Sequence, residues 1–210
     1  MIRILLVDDH PVVRHGIRTI LMERLKGAVV GEAGDAESAL VQVRDNPWDV
    51  VVADISLPGA SGLDLIKELR RSHPSLPALV VSMHPAAQFA RRALSAGAAG
   101  YLTKDSDPGE FINAIEDARR GRKYVGRDSG DELLRWSTRA VATPHEALSD
   151  REYQVLRMLG SGQTVSDIAR DLGLSVKTVS TYRTRVVDKL GMRTNAELMR
   201  YVIENHLLDS

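Results

Sequence analysis

The sequence predicts an α/β domain built on a parallel sheet, followed by a smaller domain made only of helices. Three observations carry this. From residue 1 to about residue 120, five short apolar runs alternate with five stretches of helical spacing, the pattern of a doubly wound sheet with helices on both faces. Between residues 126 and 147 that alternation stops in a polar, glycine-containing break. From residue 148 to residue 210 strand-like runs disappear and only helical spacing with cap signals remains. The expected boundaries are therefore 1–125, 126–147 and 148–210.

The elements follow in order. Ile2 to Val7 reads as a buried strand that runs into Asp8-Asp9-His10-Pro11. Pro11 suits the first turn of a helix, whose apolar face is Val12, Val13, Ile17, Ile20, Leu21 and Leu25. Val29-Val30 opens a weaker second strand, and Ala36 to Arg44 is a helix with Ala39, Leu40 and Val43 turned inward. Val50 to Ala53 is a continuous apolar run, as for a strand buried on both faces, and it ends in Asp54. Pro58, Gly59 and Gly62 turn the chain into a third helix marked by Leu63, Leu65, Ile66 and Leu69. A fourth strand from Ala78 to Met83, a fourth helix from Phe89 to Ala96, a fifth strand from Gly100 to Thr103 and a fifth helix on Phe111, Ile112, Ile115 and Ala118 complete the domain.

Composition narrows the class. The chain has 210 residues, 43% of them hydrophobic, and its 28 basic and 28 acidic residues cancel. Net charge alone therefore gives no argument for nucleic acid. There is no cysteine, which excludes disulfides and thiolate metal sites and suits a reducing compartment. Acids arrive at position 8, unlike a signal peptide, and no apolar stretch approaches the roughly 20 residues of a membrane span. A soluble cytoplasmic protein is expected.

Chemistry concentrates at the ends of the predicted strands. Ligands of open α/β sheets sit beyond the carboxyl ends of strands, next to the point where strand order reverses. Asp8, Asp9 and Asp54 meet there, with Ser82 and Lys104 at the ends of the fourth and fifth strands. Singly, each has an ordinary structural reading: a polar residue closing a strand, a small serine, a solvated lysine. Together they form a complementary set. Three carboxylates and one cation need a further positive charge, and Mg²⁺ suits an all-oxygen donor set better than zinc, since no His/Cys ligand set is apparent. Asp54 can then act as a carboxylate nucleophile toward phosphorus, with Lys104 and Ser82 supporting the phosphoryl oxygens.

On these residues, the first 125 positions resemble the receiver domain of two-component response regulators. The match lies in Asp8-Asp9, Asp54 followed by Leu57-Pro58 and Gly62, Ser82, and Tyr101 three residues before Lys104. The resemblance implies a flavodoxin-like sheet with strand order 2-1-3-4-5 and phosphoryl transfer from a histidine kinase to Asp54. It implies Mg²⁺ held by Asp9, Asp54 and the Ser56 main-chain carbonyl, with Asp8 acting largely through water. Ser82 and Tyr101 would form the switch pair, the hydroxyl moving to the phosphoryl group and the ring turning inward. The chain departs from the pattern at Asp105, where many receivers have proline; without proline a cis peptide is costly.

The second module carries its own signals. Ser149 with Glu152 is a capping-box pattern, and Tyr153, Leu156 and Leu159 give a helix ending near Gly160 or Gly162. Thr164 with Asp167 opens a short helix, Gly173-Leu174-Ser175 is a tight turn, and Val179, Tyr182, Val186 and Leu190 stripe a third helix. Thr194 with Glu197 caps a fourth, with Leu198, Met199, Val202 and Ile203 apolar. Helix, short glycine turn and helix is the helix-turn-helix arrangement, whose second helix enters the major groove. Lys177, Arg183, Arg185, Lys189 and Arg193 outnumber the single acid Asp188 there, and Ser180, Thr181, Thr184 and Arg185 lie off the inner stripe. A bundle with a solvated basic face is the simpler alternative; the turn spacing favours DNA.

Leu148-Ser149, Arg151-Glu152, Val155-Leu156, Gly162, Ile168-Ala169, Leu172, Ser175, Lys177-Thr178-Val179 and Lys189-Leu190-Gly191 resemble the LuxR-type helix-turn-helix. The whole chain thus resembles the NarL/FixJ branch of response regulators, the linker apart. The resemblance implies base reading by Ser180, Thr181 and Thr184 and phosphate contacts by Lys177, Thr178, Arg183 and Lys189. It implies a transcription regulator that turns over no separate substrate. The implied partners are promoter DNA, a sensor histidine kinase and a second copy paired through the last helix, with RNA polymerase a further candidate. Two other classes fit less well. A phosphohydrolase of the haloacid-dehalogenase type would need a second Asp two residues after Asp54, where Ser56 stands, and a pure docking domain has no need of the full acid, serine and lysine set.

Overall fold

The computed structural model describes residues 1–83, 86–125 and 143–208. The chain divides into two units, Met1–Ser137 and Thr138–Ser210. Most of the expected linker, residues 126–142, lies outside the described residues.

The first unit alternates β1 (Arg3–Val7), α1 (Pro11–Arg24), β2 (Val29–Ala33), α2 (Ala36–Asp45), β3 (Val50–Asp54), α3 (Gly62–Ser72), β4 (Ala78–Ser82), α4 (Ala86–Ala96), β5 (Gly100–Thr103), α5 (Pro108–Arg119) and β6 (Tyr124–Val125). All pairings are parallel, and the order is β2-β1-β3-β4-β5-β6. The five expected strands thus stand in the expected order, and the sheet gains a sixth. Two residues are too few for any periodicity to announce β6. It forms because Tyr124 packs against the core and donates its N–H to Ala99 O at 2.8 Å. Gly100 makes room for it, since a Cβ there would strike the Tyr124 carbonyl.

Burial explains the rest. Every residue of β3 and β4 is buried, which continuous Val, Leu and Ala runs allow. Ile4, Leu6, Val52, Leu79, Val81 and Leu102 pack with Ile17 and Leu21 of α1 and Phe111 and Ile115 of α5. The alternate residues Leu5, Val51, Ala53 and Val80 are buried on the opposite face of the pleat. Val12 does not join α1's inner face: it is 85% exposed, because one residue before Val13 is a turn of about 100° on a helix. Helix α4 starts three residues before Phe89, at an Ala-Ala-Gln run of good helix formers that carries no apolar spacing.

The second unit opens with a 3₁₀ turn (Pro144–Ala147), followed by α6 (Asp150–Gly160), α7 (Val165–Asp171), α8 (Val176–Leu190) and α9 (Asn195–Glu204). The three capping boxes read from the sequence, Ser149/Glu152, Thr164/Asp167 and Thr194/Glu197, are all formed. Ser175 caps α8 through the Thr178 N–H, and Gly191 ends it in the left-handed region. Val179, Val186, Leu198 and Val202 are fully buried. Tyr182 and Leu190 are half-buried, whereas Met199 and Ile203 are exposed. Gly160 lets α6 approach α9, where a Cβ would meet Val202 Cγ1 at 2.6 Å.

One glycine positions the phosphoacceptor candidate directly. Gly62 N–H donates to Ile55 O at 2.9 Å, and a Cβ on Gly62 would overlap the Asp54 backbone carbonyl. Gly62→Ala is therefore expected to cost about 1–3 kcal/mol by overpacking. Urea unfolding of the first unit checks it, and an unchanged midpoint would show that the loop has slack.

Candidate functional sites

The parallel register brings the chemistry to one edge. Val7 pairs with Ala53, Asp54 with Val81, and Ser82 with Thr103, so the four strand ends align. Asp8 extends the ladder by donating its N–H to Ala33 O at 3.1 Å, and Lys104 N–H donates to Ser82 O at 2.9 Å. Asp8, Asp54 and Ser82 are buried, and Asp9 is half-buried.

Lys104 holds the acids together. Its ammonium is 2.6 Å from Asp8 Oδ2 and 2.8 Å from Asp54 Oδ2. Burial alone would lower the Lys104 pKa; the paired carboxylates reverse that and raise it. Burial pushes the Asp54 carboxyl above its ordinary value, Lys104 opposes this, and the Asp8 charge adds to it. The second Asp54 oxygen, Oδ1, is shut off from solvent and accepts no hydrogen bond. An uncompensated carboxylate oxygen beside two further acids fits a cation site, and the donor set of hard oxygens suits Mg²⁺.

The structure adds a member to this cluster. His10 joins Asp8, Asp9 and Asp54, with ligand atoms from all four within 4.8 Å of one another. Its Nδ1 lies 2.7 Å from Asp9 Oδ1, and its backbone N–H donates to Asp8 Oδ1 at 2.7 Å. No His/Cys ligand set is apparent in the sequence. One imidazole next in sequence to two acids gives no spacing signal, so only the folded loop reveals it.

Tyr101 is 1% exposed, so its ring occupies the inward position. It pairs in the ladder with Val125 of β6. No cis peptide bond occurs among the described residues, Lys104–Asp105 included.

In the second unit Lys177, Ser180, Thr181, Thr184 and Arg185 are exposed on α8, and Thr178 and Arg183 are half-buried. Thr181 Oγ1 donates to Lys177 O and Thr184 Oγ1 to Ser180 O, at 3.0 and 3.1 Å, which leaves both hydroxyls as acceptors toward solvent. Arg183 Nε donates to Asn195 Oδ1 at 2.9 Å. Lys189 is placed differently from the others. Its ammonium is 2.6 Å from Oε2 of Glu152, a residue only 3% exposed, and it donates to Ala147 O at 3.4 Å. It fastens α8 to the start of α6.

Comparison with known proteins gives concordant likenesses. The family model for the response regulator receiver domain matches residues 4–116, and that for bacterial regulatory proteins of the luxR family matches residues 146–202. The chain is 38% identical over 213 residues to the response regulator UvrY of Escherichia coli K12, covering 100% of this chain and 97% of that one. It is 37% identical over 211 residues to the response regulator GacA of Pseudomonas protegens, covering 100% and 99%. Among solved structures, RcsB of Salmonella enterica serovar Typhimurium, bound to a promoter with the phosphomimetic BeF₃⁻, superposes with a TM-score of 0.59 at 28% identity, covering 96% and 97%. A LuxR-family response regulator from Aurantimonas matches with a TM-score of 0.61 at 40% identity over 65% of this chain and 98% of that one.

The Glu152–Lys189 pair predicts a pH signature. Burial alone would raise the Glu152 pKa, but Lys189 and the Ser149 cap bring it below its ordinary 4.5. A depressed carboxyl stabilises the fold above its unfolded value and loses that contribution as pH falls through the folded one. Lys189→Met should therefore destabilise the second unit by about 1–3 kcal/mol near neutrality. The deficit should shrink below pH 4.5, as Glu152 protonates in both proteins. Urea unfolding at several pH values followed by circular dichroism checks this; a pH-independent deficit would contradict it.

Proposed function

Because the chain belongs to the response regulators that join a receiver domain to a LuxR-type helix-turn-helix, we propose that phosphoryl transfer from a histidine kinase to Asp54 controls binding of the second module to promoter DNA. The observation that carries the reading is the Asp54 carboxylate: Oδ2 is pinned by Lys104 while Oδ1, buried at the strand end, has no hydrogen-bond partner. Asp54 attacks phosphorus, so an O–P bond forms as the N–P bond to the kinase histidine breaks and the electron pair leaves with the imidazole. Lys104 and the Ser82 hydroxyl support the phosphoryl oxygens, and Ser82 with Tyr101 relays the change. Asp9, Asp54 and the Ser56 carbonyl would hold Mg²⁺, with Asp8 acting through water. When bound, Mg²⁺ neutralises charge on the carboxylates and the phosphoryl group. The receiver's own side chains assist both gain and loss of the phosphoryl group, and no separate substrate is turned over.

The domain limits follow the same reading: receiver 1–125, linker 126–147, DNA-binding module 148–210. On α8, Ser180, Thr181 and Thr184 read base edges while Lys177, Thr178, Arg183 and Arg185 meet phosphates. Lys189 belongs to the same basic stretch, but its ion pair with Glu152 makes it first a fastener of the helix. One small module buries little surface on DNA, so a dimer on two half-sites is expected, paired through α9. A cytoplasmic location fits a protein without cysteine in which no described helix is long and apolar enough to cross a membrane.

Asp54→Asn should abolish labelling by a small phosphodonor or the kinase, read on a phosphate-affinity gel. Persistent labelling would place the acceptor elsewhere. Lys177→Ala should weaken binding to all DNA probes and lower the slope of log affinity against log salt by about 1. Binding unchanged on every probe would remove Lys177 from the interface.

A further inference from the structure

We propose that the edge of the first unit opposite the acid pocket is a second DNA-binding surface, where Arg24, Lys26, Arg119 and Lys123 hold phosphates of the duplex flanking the bases read by α8. The inference rests on the reading that the second unit binds DNA, and it gives the first unit a share in that partner.

Topology builds the edge. The strands are all parallel, and the helices between them run back against them, so α1 and α5 end at the edge where the strands begin. Both helices lie on one face of the sheet: Ile17 and Leu21 of α1 share a core with Phe111, Ile115 and Ala118 of α5. Their C-terminal ends therefore stand side by side. Helix α1 ends in Arg24 and leads to Lys26, and α5 ends in Arg119 and leads to Arg120, Arg122 and Lys123. All six side chains belong to exposed residues.

Charge at this edge is unbalanced. Arg120 pairs with Glu116 and Arg122 with Asp117. Asp49, at the start of β3, accepts the Arg3 N–H at 2.7 Å, and Asp45 pairs with Arg44. Among the described residues, Arg24, Lys26, Arg119 and Lys123 meet no acid, and of the acids near them Glu23 alone has no cation. A basic last turn suits the helix dipole, which accounts for Arg24 and Arg119. It does not account for Lys26 and Lys123, which lie beyond the helices. The chain as a whole is neutral, so the excess is one of local placement.

Duplex DNA is the occupant that this chemistry favours. A second copy of the chain would bring the same positive edge and be repelled by it. Phosphates complement it, and the chain delivers them: one polypeptide carries both units, so a duplex bound by the second is at high local concentration for the first. The polarity of the first unit agrees. Asp8, Asp9 and Asp54 gather at the opposite edge, which duplex charge repels, so Asp54 stays open to a phosphodonor while the basic edge faces DNA.

The experiment measures affinity of the full chain by anisotropy, with acetyl phosphate and Mg²⁺, between about 50 and 200 mM salt. Two duplexes are compared. One is trimmed to the bases the protein selects from a random pool; the other adds about 20 arbitrary base pairs on each side, roughly two helical turns. The wild type should bind the longer duplex more tightly, with a slope of log affinity against log salt steeper by about 3–4 per chain, near 0.9 for each of four phosphates. Its advantage should then fall about a hundredfold across the salt range. Combining Arg24→Gln, Lys26→Gln, Arg119→Gln and Lys123→Gln should abolish the advantage and leave binding to the short duplex unchanged, which also shows that the variant is folded. Equal slopes on both duplexes in the wild type, an advantage that survives in the variant, or an equal loss on both duplexes would each overturn the proposal and leave the DNA reading standing. No binding of the wild type to either duplex would overturn both.

Discussion

The receiver depends on one ammonium shared by two buried carboxylates. Asp8 and Asp54 end neighbouring parallel strands, and the sheet cannot pair without driving their charges together. Lys104 reconciles them, at 2.6 and 2.8 Å, from the end of a third strand. The arrangement is conditional: one positive charge faces two buried acids and a third half-buried one beside them. Any group that enters with its own charge, a cation at the Oδ1 atoms or a phosphoryl group on Asp54, redistributes what Lys104 holds. Buried ion networks are poor sources of stability but good switches, since breaking one contact leaves a charge that must find another. Lys104 follows β5, β5 carries Tyr101, and Tyr101 is paired with β6, where the chain leaves the sheet.

The second unit solves a different problem. Its helices are short, so packing and caps must set their ends. Three capping boxes and a serine cap do so, and Glu152 serves twice, in the Ser149 box and as the partner of Lys189. The same carboxylate thus starts α6 and anchors the end of α8. That fixes the exposed face of α8 carrying Lys177, Ser180, Thr181, Thr184 and Arg185 against the core below it.

Most of the fold was legible because its signals are local and repeated. Five apolar runs, four of them leading to Asp8, Asp54, Ser82 and Lys104, and four helices opened by Ser or Thr, need no tertiary knowledge. What escaped is set by long-range packing. Strand β6 rests on the packing of Tyr124, its pairing with β5 and the space left by Gly100. Val12 and Ile203 are apolar in sequence but exposed in space, because apolar character alone does not fix which side of a helix meets the core. Lys189 reads as one more basic residue until Glu152 is seen beneath it. His10 carries no pattern at all beside Asp8-Asp9; its place in the cluster comes from the turn into α1.

Chemistry at Asp54 is expected to be read out at α8. The most direct test is one titration of the full chain with acetyl phosphate and Mg²⁺, following mass by light scattering and affinity by anisotropy on double-stranded fragments the protein selects from a random pool. The account predicts that affinity and dimer fraction rise together as Asp54 becomes labelled. Full labelling with both left unchanged would contradict it, because the receiver would then be switching without the DNA-binding module responding.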